Sequence, residues 1–319
     1  LIVSVPKRST VLARTGDAAS GTRGLSLFAC LSDLPYGTRN EVSVTRIEEK
    51  LGLHASPTCQ LAFDGAKAQL VGEEGGGLRA MFAMMNHARL DVALQGVAHA
   101  ALARAYAAER RQGRGPDGAT VTIDRHADVA RMIDECDALA LGARALAHIT
   151  LVAQELRDQP DFVEFMTPLV KYLGTDAGIR AADLAIQVMG GYGYLREYRA
   201  EQNWRDARIC SIYEGTNGIH ARALATRGLG LNGGAGARAF LSFVRDSDVD
   251  LSEPAGAWEA EAARLAVSPD PSAAADDFMR RTCGLAYRAA WARIDAVADR
   301  STERERLLRL AAGVLGRRG

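Results

Sequence analysis

Gly72-Glu73-Glu74-Gly75-Gly76-Gly77 divides this chain of 319 residues into two kinds of sequence. Before it, short β-prone runs alternate with Gly, Pro and charged turns. After it, long Ala-rich segments carry apolar residues at helical spacing. The first kind predicts strands at 1–5, 24–31, 40–47 and 59–64, enough for only part of a sheet. The second predicts helices at roughly 78–113, 124–158, 160–188 and 217–229, whose apolar faces are buried most simply in a helical bundle.

A second Gly-rich break, Leu231-Asn232-Gly233-Gly234-Ala235-Gly236, ends that block. More helical pattern follows, with turns at Ser252-Glu253-Pro254 and Pro269-Asp270-Pro271. The tail from Thr302 to Arg318 is charged and amphipathic, the pattern of a solvated helix face. The expected fold is therefore mainly α: a partial β-domain over 1–72, a helical bundle over 73–230 and a C-terminal helical extension over 237–319.

Composition narrows the function classes. Hydrophobic residues make up 48%, which suits a globular protein with a sizeable core. Lys and Arg number 39 against 39 Asp and Glu, so no net charge points to nucleic acid or a membrane surface. Cys30, Cys59, Cys136, Cys210 and Cys283 are scattered without metal-like spacing, as expected of a reduced, cytoplasmic protein. The most apolar region, 138–152, is interrupted by Arg144 and His148 and reads as too short to span a membrane. The chain opens on Leu-Ile-Val-Ser-Val with no initiator Met, as a fragment would.

The chemistry is concentrated in Arg205-Asp206-Ala207-Arg208-Ile209-Cys210-Ser211-Ile212-Tyr213-Glu214-Gly215-Thr216-Asn217-Gly218. Glu214 stands in a polar turn between an apolar segment and a new helix. Gly215 lets a ligand approach the backbone without meeting a Cβ, and Thr216 or Asn217 can cap the helix. Taken alone, Glu214 also reads as an ordinary carboxylate near a helix N-terminus.

Other motifs are equally open in isolation. Gly190-Gly191-Tyr192-Gly193 follows a helical segment and has Arg196 where a dinucleotide fingerprint needs Gly, so it reads either as a helix-ending turn or as bare backbone for a flat or phosphate-bearing ligand. The basic cluster Glu109 to Arg114 fits a helix C-terminus. Asn86-His87-Ala88-Arg89 fits an exposed helix face. The six histidines show no metal-like clustering, and GxSxG and P-loop motifs are absent from the sequence.

In order, however, Gln187-Val188-Met189-Gly190-Gly191-Tyr192-Gly193-Tyr194, Glu197-Tyr198, Arg205-Asp206-Ala207-Arg208 and Ile212-Tyr213-Glu214-Gly215-Thr216 resemble a signature of the acyl-CoA dehydrogenase family. The resemblance covers residues 1 to about 230. The tail beyond 236 and Asn217-Gly218-Ile219 are similar to a subgroup with an extra C-terminal helical region, which includes 3-methylmercaptopropionyl-CoA dehydrogenases.

The resemblance implies an FAD-dependent oxidoreductase acting on the CH–CH bond of an acyl-CoA. Glu214 would be the base that removes the α-proton, while the β-hydrogen leaves as hydride to the flavin, giving a trans-2-enoyl-CoA. The Glu214 backbone N–H and a flavin ribityl hydroxyl would polarise the thioester oxygen. Asn86, Arg89 and Gly215 would contact substrate. Arg110, Gln112, Gln187, Gly190, Gly191, Thr216 and Asn217 would contact FAD, several of them across a dimer interface.

Gln112 departs from the family's usual Thr, and the family's N-terminal helical domain and first β-domain strands have no counterpart in this sequence. The implied partners are an electron-transfer flavoprotein and further copies of the chain, as a homodimer or larger homo-oligomer. An acyl-CoA oxidase, or a non-catalytic oligomerisation or binding remnant, remain the alternatives.

Overall fold

The computed structural model describes residues 8–109, 113–114 and 118–316. It divides into two compact units, 1–88 and 89–319, and the division falls inside a long helix.

The first unit is β structure. Strands β1 (Arg8–Arg14), β2 (Leu25–Leu31), β3 (Val42–Ile47), β4 (Cys59–Phe63) and β5 (Ala68–Val71) form an antiparallel sheet of order β1-β2-β5 and a separate β3-β4 hairpin. Leu12 pairs with Leu27, and Leu27 with Val71, which fixes the register. Asn40 is buried and ties the unit together. Its amide donates to the Leu31 carbonyl at 2.7 Å and the Lys67 carbonyl at 2.8 Å, while its oxygen accepts from the Lys67 N–H at 2.9 Å. Every polar atom of that side chain is thereby used.

Strands β2 to β4 fall where alternation predicts them. β1 and β5 do not: β1 carries Arg at both ends, and β5 has four residues, all exposed. The strand predicted at 1–5 lies outside the described residues. Gly77, the last residue of the Gly-rich break, lies against β2, where a Cβ would come within 2.4 Å of Ser26.

The second unit is helical. Its long elements are α1 (Gly77–Glu109, entering from the first unit), α2 (Ala127–Leu156) and α3 (Pro160–Met189). A two-residue pairing, β6 (Gly113–Arg114) with β7 (Thr120–Val121), stands between α1 and α2. After α3 come α4 (Gly191–Tyr194), α5 (Ala200–Arg208), α6 (Asn217–Ala223), α7 (Ala235–Arg245), α8 (Ser252–Ala266), α9 (Ala275–Ala298) and α10 (Arg304–Leu315). The helices predicted from the 3.6 period match α1, α2, α3 and α6, the last continuing through a π-helical turn to Gly228.

The helices beyond residue 236 share the bundle's core. Phe165 of α3 stacks on Phe240 of α7 at 5.1 Å, Phe240 meets Trp258 of α8 with rings tilted at 5.0 Å, and Trp258 stacks on Phe278 of α9 at 5.5 Å. The indole N–H of Trp258 donates to Thr282 at 2.8 Å, so the ring is buried with its polar atom satisfied.

Two sequence expectations change here. The tail is more than a solvated face, because Arg306 of α10 donates to both oxygens of buried Asp137 on α2, at 2.7 and 2.8 Å, and Arg309 does the same to Asp134. The apolar region around 138–152 is also longer than it reads. It belongs to a helix of 30 residues that is long and apolar enough to cross a membrane by length and composition, yet 56% of its most apolar window is buried inside the protein.

Candidate active site

The site begins with two helix backbones in contact. A Cβ on Gly96 of α1 would lie 2.2 Å from the Gly174 carbonyl oxygen of α3, and a Cβ on Gly178 would lie 2.5 Å from that of Gly96. Only glycine permits this approach. It sets Arg89, two turns before Gly96, and Lys171, one turn before Gly174, on rigid elements.

Helix α5 delivers the third component. The amide oxygen of buried Asn203 accepts a hydrogen bond from His99 Nδ1 at 2.7 Å, and its amide nitrogen donates to the His99 carbonyl at 3.1 Å, fixing α5 to α1. A short polar helix, braced by the Arg205–Glu201 pair at 2.6 Å, runs into a 3-10 turn at Ile209–Ser211, where Ile209 and buried Cys210 form the apolar segment before the Glu214 turn.

The chain then bends sharply. Glu214 has φ of +53° and Gly215 +89°. The left-handed region costs a residue with a Cβ about 1–2 kcal/mol, so the surroundings must hold it there. Three side chains do so through carbonyl oxygens. Arg89 Nε donates to Glu214 O at 3.4 Å, His220 Nε2 to the same oxygen at 3.2 Å, and Lys171 Nζ to Gly215 O at 2.7 Å. Thr216 then caps α6, its hydroxyl accepting from the Ile219 N–H at 3.2 Å. The neighbouring Tyr213 hydroxyl donates to Gln95 on α1.

The electrostatics follow from burial. Desolvation pulls the Lys171 ammonium down to about 8 from 10.5, and nearby Arg89 pushes the same way. His220 is pulled down to about 4 from 6.5, again by burial first and then by Lys171 and Arg89, so it is neutral at physiological pH and donates from Nε2. Arg89 is lowered by burial and by Arg227. The Glu214 charge opposes the shifts of Arg89 and Lys171, making it the anion among these cations. Among the described residues the Glu214 carboxylate makes no hydrogen bond or ion pair, and its backbone N–H donates none. A half-buried carboxylate and an unspent N–H thus share one residue.

The residues singled out in the sequence separate into groups. Glu214, Gly215, Thr216, Asn217 and Arg89 come together at this turn. Asn217 turns inward: its oxygen accepts from Lys171 Nζ at 3.0 Å, and its amide donates to Thr175 at 3.2 Å. Asn86 lies exposed on the part of α1 that belongs to the first unit. Gln187, Gly190 and Gly191 sit at the far end of α3, sixteen residues beyond Lys171, or about 24 Å of helix. There Gly190 has φ of +59°, and a Cβ on either glycine would meet no atom within 4 Å, leaving bare, open backbone. Arg110 and Gln112 lie outside the described residues.

Lys171 and His220 were not singled out in the sequence. Lys171 is fully buried and His220 is 2% exposed. A signal existed for the lysine: its helical neighbours Thr167, Gly174, Thr175 and Gly178 make a small-residue face, which marks close packing and not solvent.

Residues 75–229 match the family described as "Acyl-CoA dehydrogenase, C-terminal domain". The chain is 40% identical over 295 residues to a 3-methylmercaptopropionyl-CoA dehydrogenase of Ruegeria pomeroyi, covering 86% of this chain and 50% of that protein. In fold it is similar to Caenorhabditis elegans ACDH-11 in complex with C11-CoA, with a TM-score of 0.80 at 21% identity over 98% of this chain and 57% of the other. It is also similar to a chain in the structure described as the electron transferring flavoprotein of Acidaminococcus fermentans, with a TM-score of 0.61 at 27% identity over 75% of this chain and 57% of the other. The chain spans about half the length of the curated relatives it matches. With the domain match covering the Glu214 turn and the helices that hold it, the chain belongs to the acyl-CoA dehydrogenase family.

Proposed function

We propose that this chain carries the base-bearing part of an FAD-dependent acyl-CoA dehydrogenase, with Glu214 removing the α-proton of an acyl-CoA thioester to give a trans-2-enoyl-CoA. The observation that carries the proposal is the Glu214 turn. Among the described residues its carboxylate and its N–H are uncommitted, and its carbonyl is anchored from two sides. An α-C–H is too weak an acid for a free carboxylate unless the thioester oxygen is polarised in the same step. A single residue offering both base and N–H donor meets that requirement, and the Cβ that Gly215 lacks would sit 3.0 Å from His220 Nε2, so the glycine lets the buried ring reach the turn while its backbone stays available to substrate.

FAD, when bound, supplies the acceptor for the β-hydride. The residues present fit such a group in part: the open backbone of Gly190 and Gly191 offers a face without side chains, with exposed Gln187 beside it, and the Thr216 hydroxyl is exposed at the turn. Asn217 would act from behind, since its amide is engaged by Lys171 and Thr175. Arg89, half-buried on α1, would bind near the thioester, and Asn86 would contact the carrier arm of the substrate. The roughly 24 Å between the two residue groups on α3 supports a cofactor shared between two copies of the chain, hence a homodimer or larger assembly. The likeness to the Acidaminococcus fermentans chain supports an electron-transfer flavoprotein as the electron acceptor.

The test is α-proton exchange. Flavin-loaded protein incubated with an acyl-CoA in deuterium oxide is expected to wash deuterium into the α-carbon, and Glu214→Gln to abolish this. Unchanged exchange in Glu214→Gln would remove Glu214 from the role.

A further inference from the structure

Lys171 is among the largest side chains that the core encloses completely. A buried ammonium depends on the acceptors within its reach. The two recorded for it are Gly215 O at 2.7 Å and Asn217 Oδ1 at 3.0 Å, on either side of Thr216 in the turn that carries Glu214. Asn217 is held in turn by Thr175, one helical turn beyond Lys171 on α3. The helix beneath them is immobilised by its glycine contact with α1. Packing alone would be served by a methionine of similar length. What the lysine adds is a two-pronged, charge-assisted grip on a turn whose backbone is left-handed at Glu214 and Gly215.

We propose that Lys171 is a positioning residue of the active site, one that fixes the Gly215 carbonyl and the Asn217 amide and thereby holds the Glu214 carboxylate and N–H in register. The role rests on Glu214 being the base. Lys171 itself touches neither substrate nor cofactor in this scheme. Arg89, Glu214, Cys210 and His220 are the titratable groups that feel its charge, and Arg89 and His220 share the task through the Glu214 carbonyl.

The experiment pairs hydrogen–deuterium exchange with kinetics on Lys171→Met and Lys171→Arg. In the 319-residue chain, Lys171→Met is expected to speed amide exchange across 213–219 by about 10-fold or more while peptides from α2 and α9 stay at wild-type rates, the mark of a local opening. In the flavin-loaded protein it should slow flavin reduction by about 30-fold with KM changed less than about 3-fold, and Lys171→Arg should restore part of the loss. Unchanged exchange at the turn, or uniform loosening of the whole helical unit, overturns the proposal. Should Lys171→Met not fold, Lys171→Gln is judged by the same exchange readout. A Glu214→Gln control separates the two claims. If it reduces flavin normally the base assignment fails while the exchange result still stands, and if it is inactive while Lys171→Met is normal the positioning role fails alone.

Discussion

Acid should loosen this protein through one histidine, and the structure gives the size of the effect. His220 is 2% exposed, donates to the Glu214 carbonyl and is held at about 4, against 6.5 for a free imidazole. Between those values the unfolded chain binds a proton that the folded one refuses. The stability is fully present above 6.5 and is lost as pH falls towards about 4, at up to about 1.4 kcal/mol per pH unit. The total is about 3 kcal/mol, a large share of a typical domain's stability of roughly 5–15 kcal/mol. Carboxylates contribute to acid unfolding as well, so the assay is a difference. Urea unfolding of wild type and His220→Gln, which keeps an N–H donor, is followed from neutral pH down to about 4. The variant should lose about 3 kcal/mol less over that window. Curves that run parallel to within about 0.5 kcal/mol would refute the assignment of a buried, neutral His220.

Two further outcomes test the scaffold. Gly96→Ala places a Cβ 2.2 Å from the Gly174 oxygen, so α1 and α3 must part; a loss of about 3 kcal/mol in thermal or urea unfolding is expected, and a loss below about 0.5 kcal/mol would mean that the helices are not in backbone contact. Arg306→Ala leaves buried Asp137 with Arg104 alone at 3.3 Å; it should cost about 2–3 kcal/mol and show in exchange as fraying of α10, whereas a neutral result would return the tail to the solvated face the sequence suggested.

The helical part of the fold was legible because periodicity survives in long elements: α2 and α3 begin and end within a few residues of their predicted limits. The strands were less so. β1 is bounded by Arg at both ends and β5 is four exposed residues, and the identity of both comes from pairing with β2, a relation between distant residues that local pattern does not carry. At the site, Glu214, Gly215 and Thr216 were visible as a local turn with a cap. Their fixation was not, because it comes from Arg89, Lys171 and His220, which lie 125, 44 and 6 residues away in the chain from the carbonyls they bind. Lysine in a helical pattern suggests solvent by default, and only the small residues around Lys171 argued otherwise. The resemblance implies a cofactor contact for Asn217, and the hydrogen bonds of its amide to Lys171 and Thr175 on α3 are a feature that local pattern does not carry.

Anaerobic reduction of the bound flavin by an acyl-CoA thioester tests the account at its centre. Wild-type holoprotein should bleach on mixing, and Glu214→Gln should slow the bleaching by about 100-fold or more while still binding the thioester. Bleaching at the wild-type rate in Glu214→Gln would contradict the account.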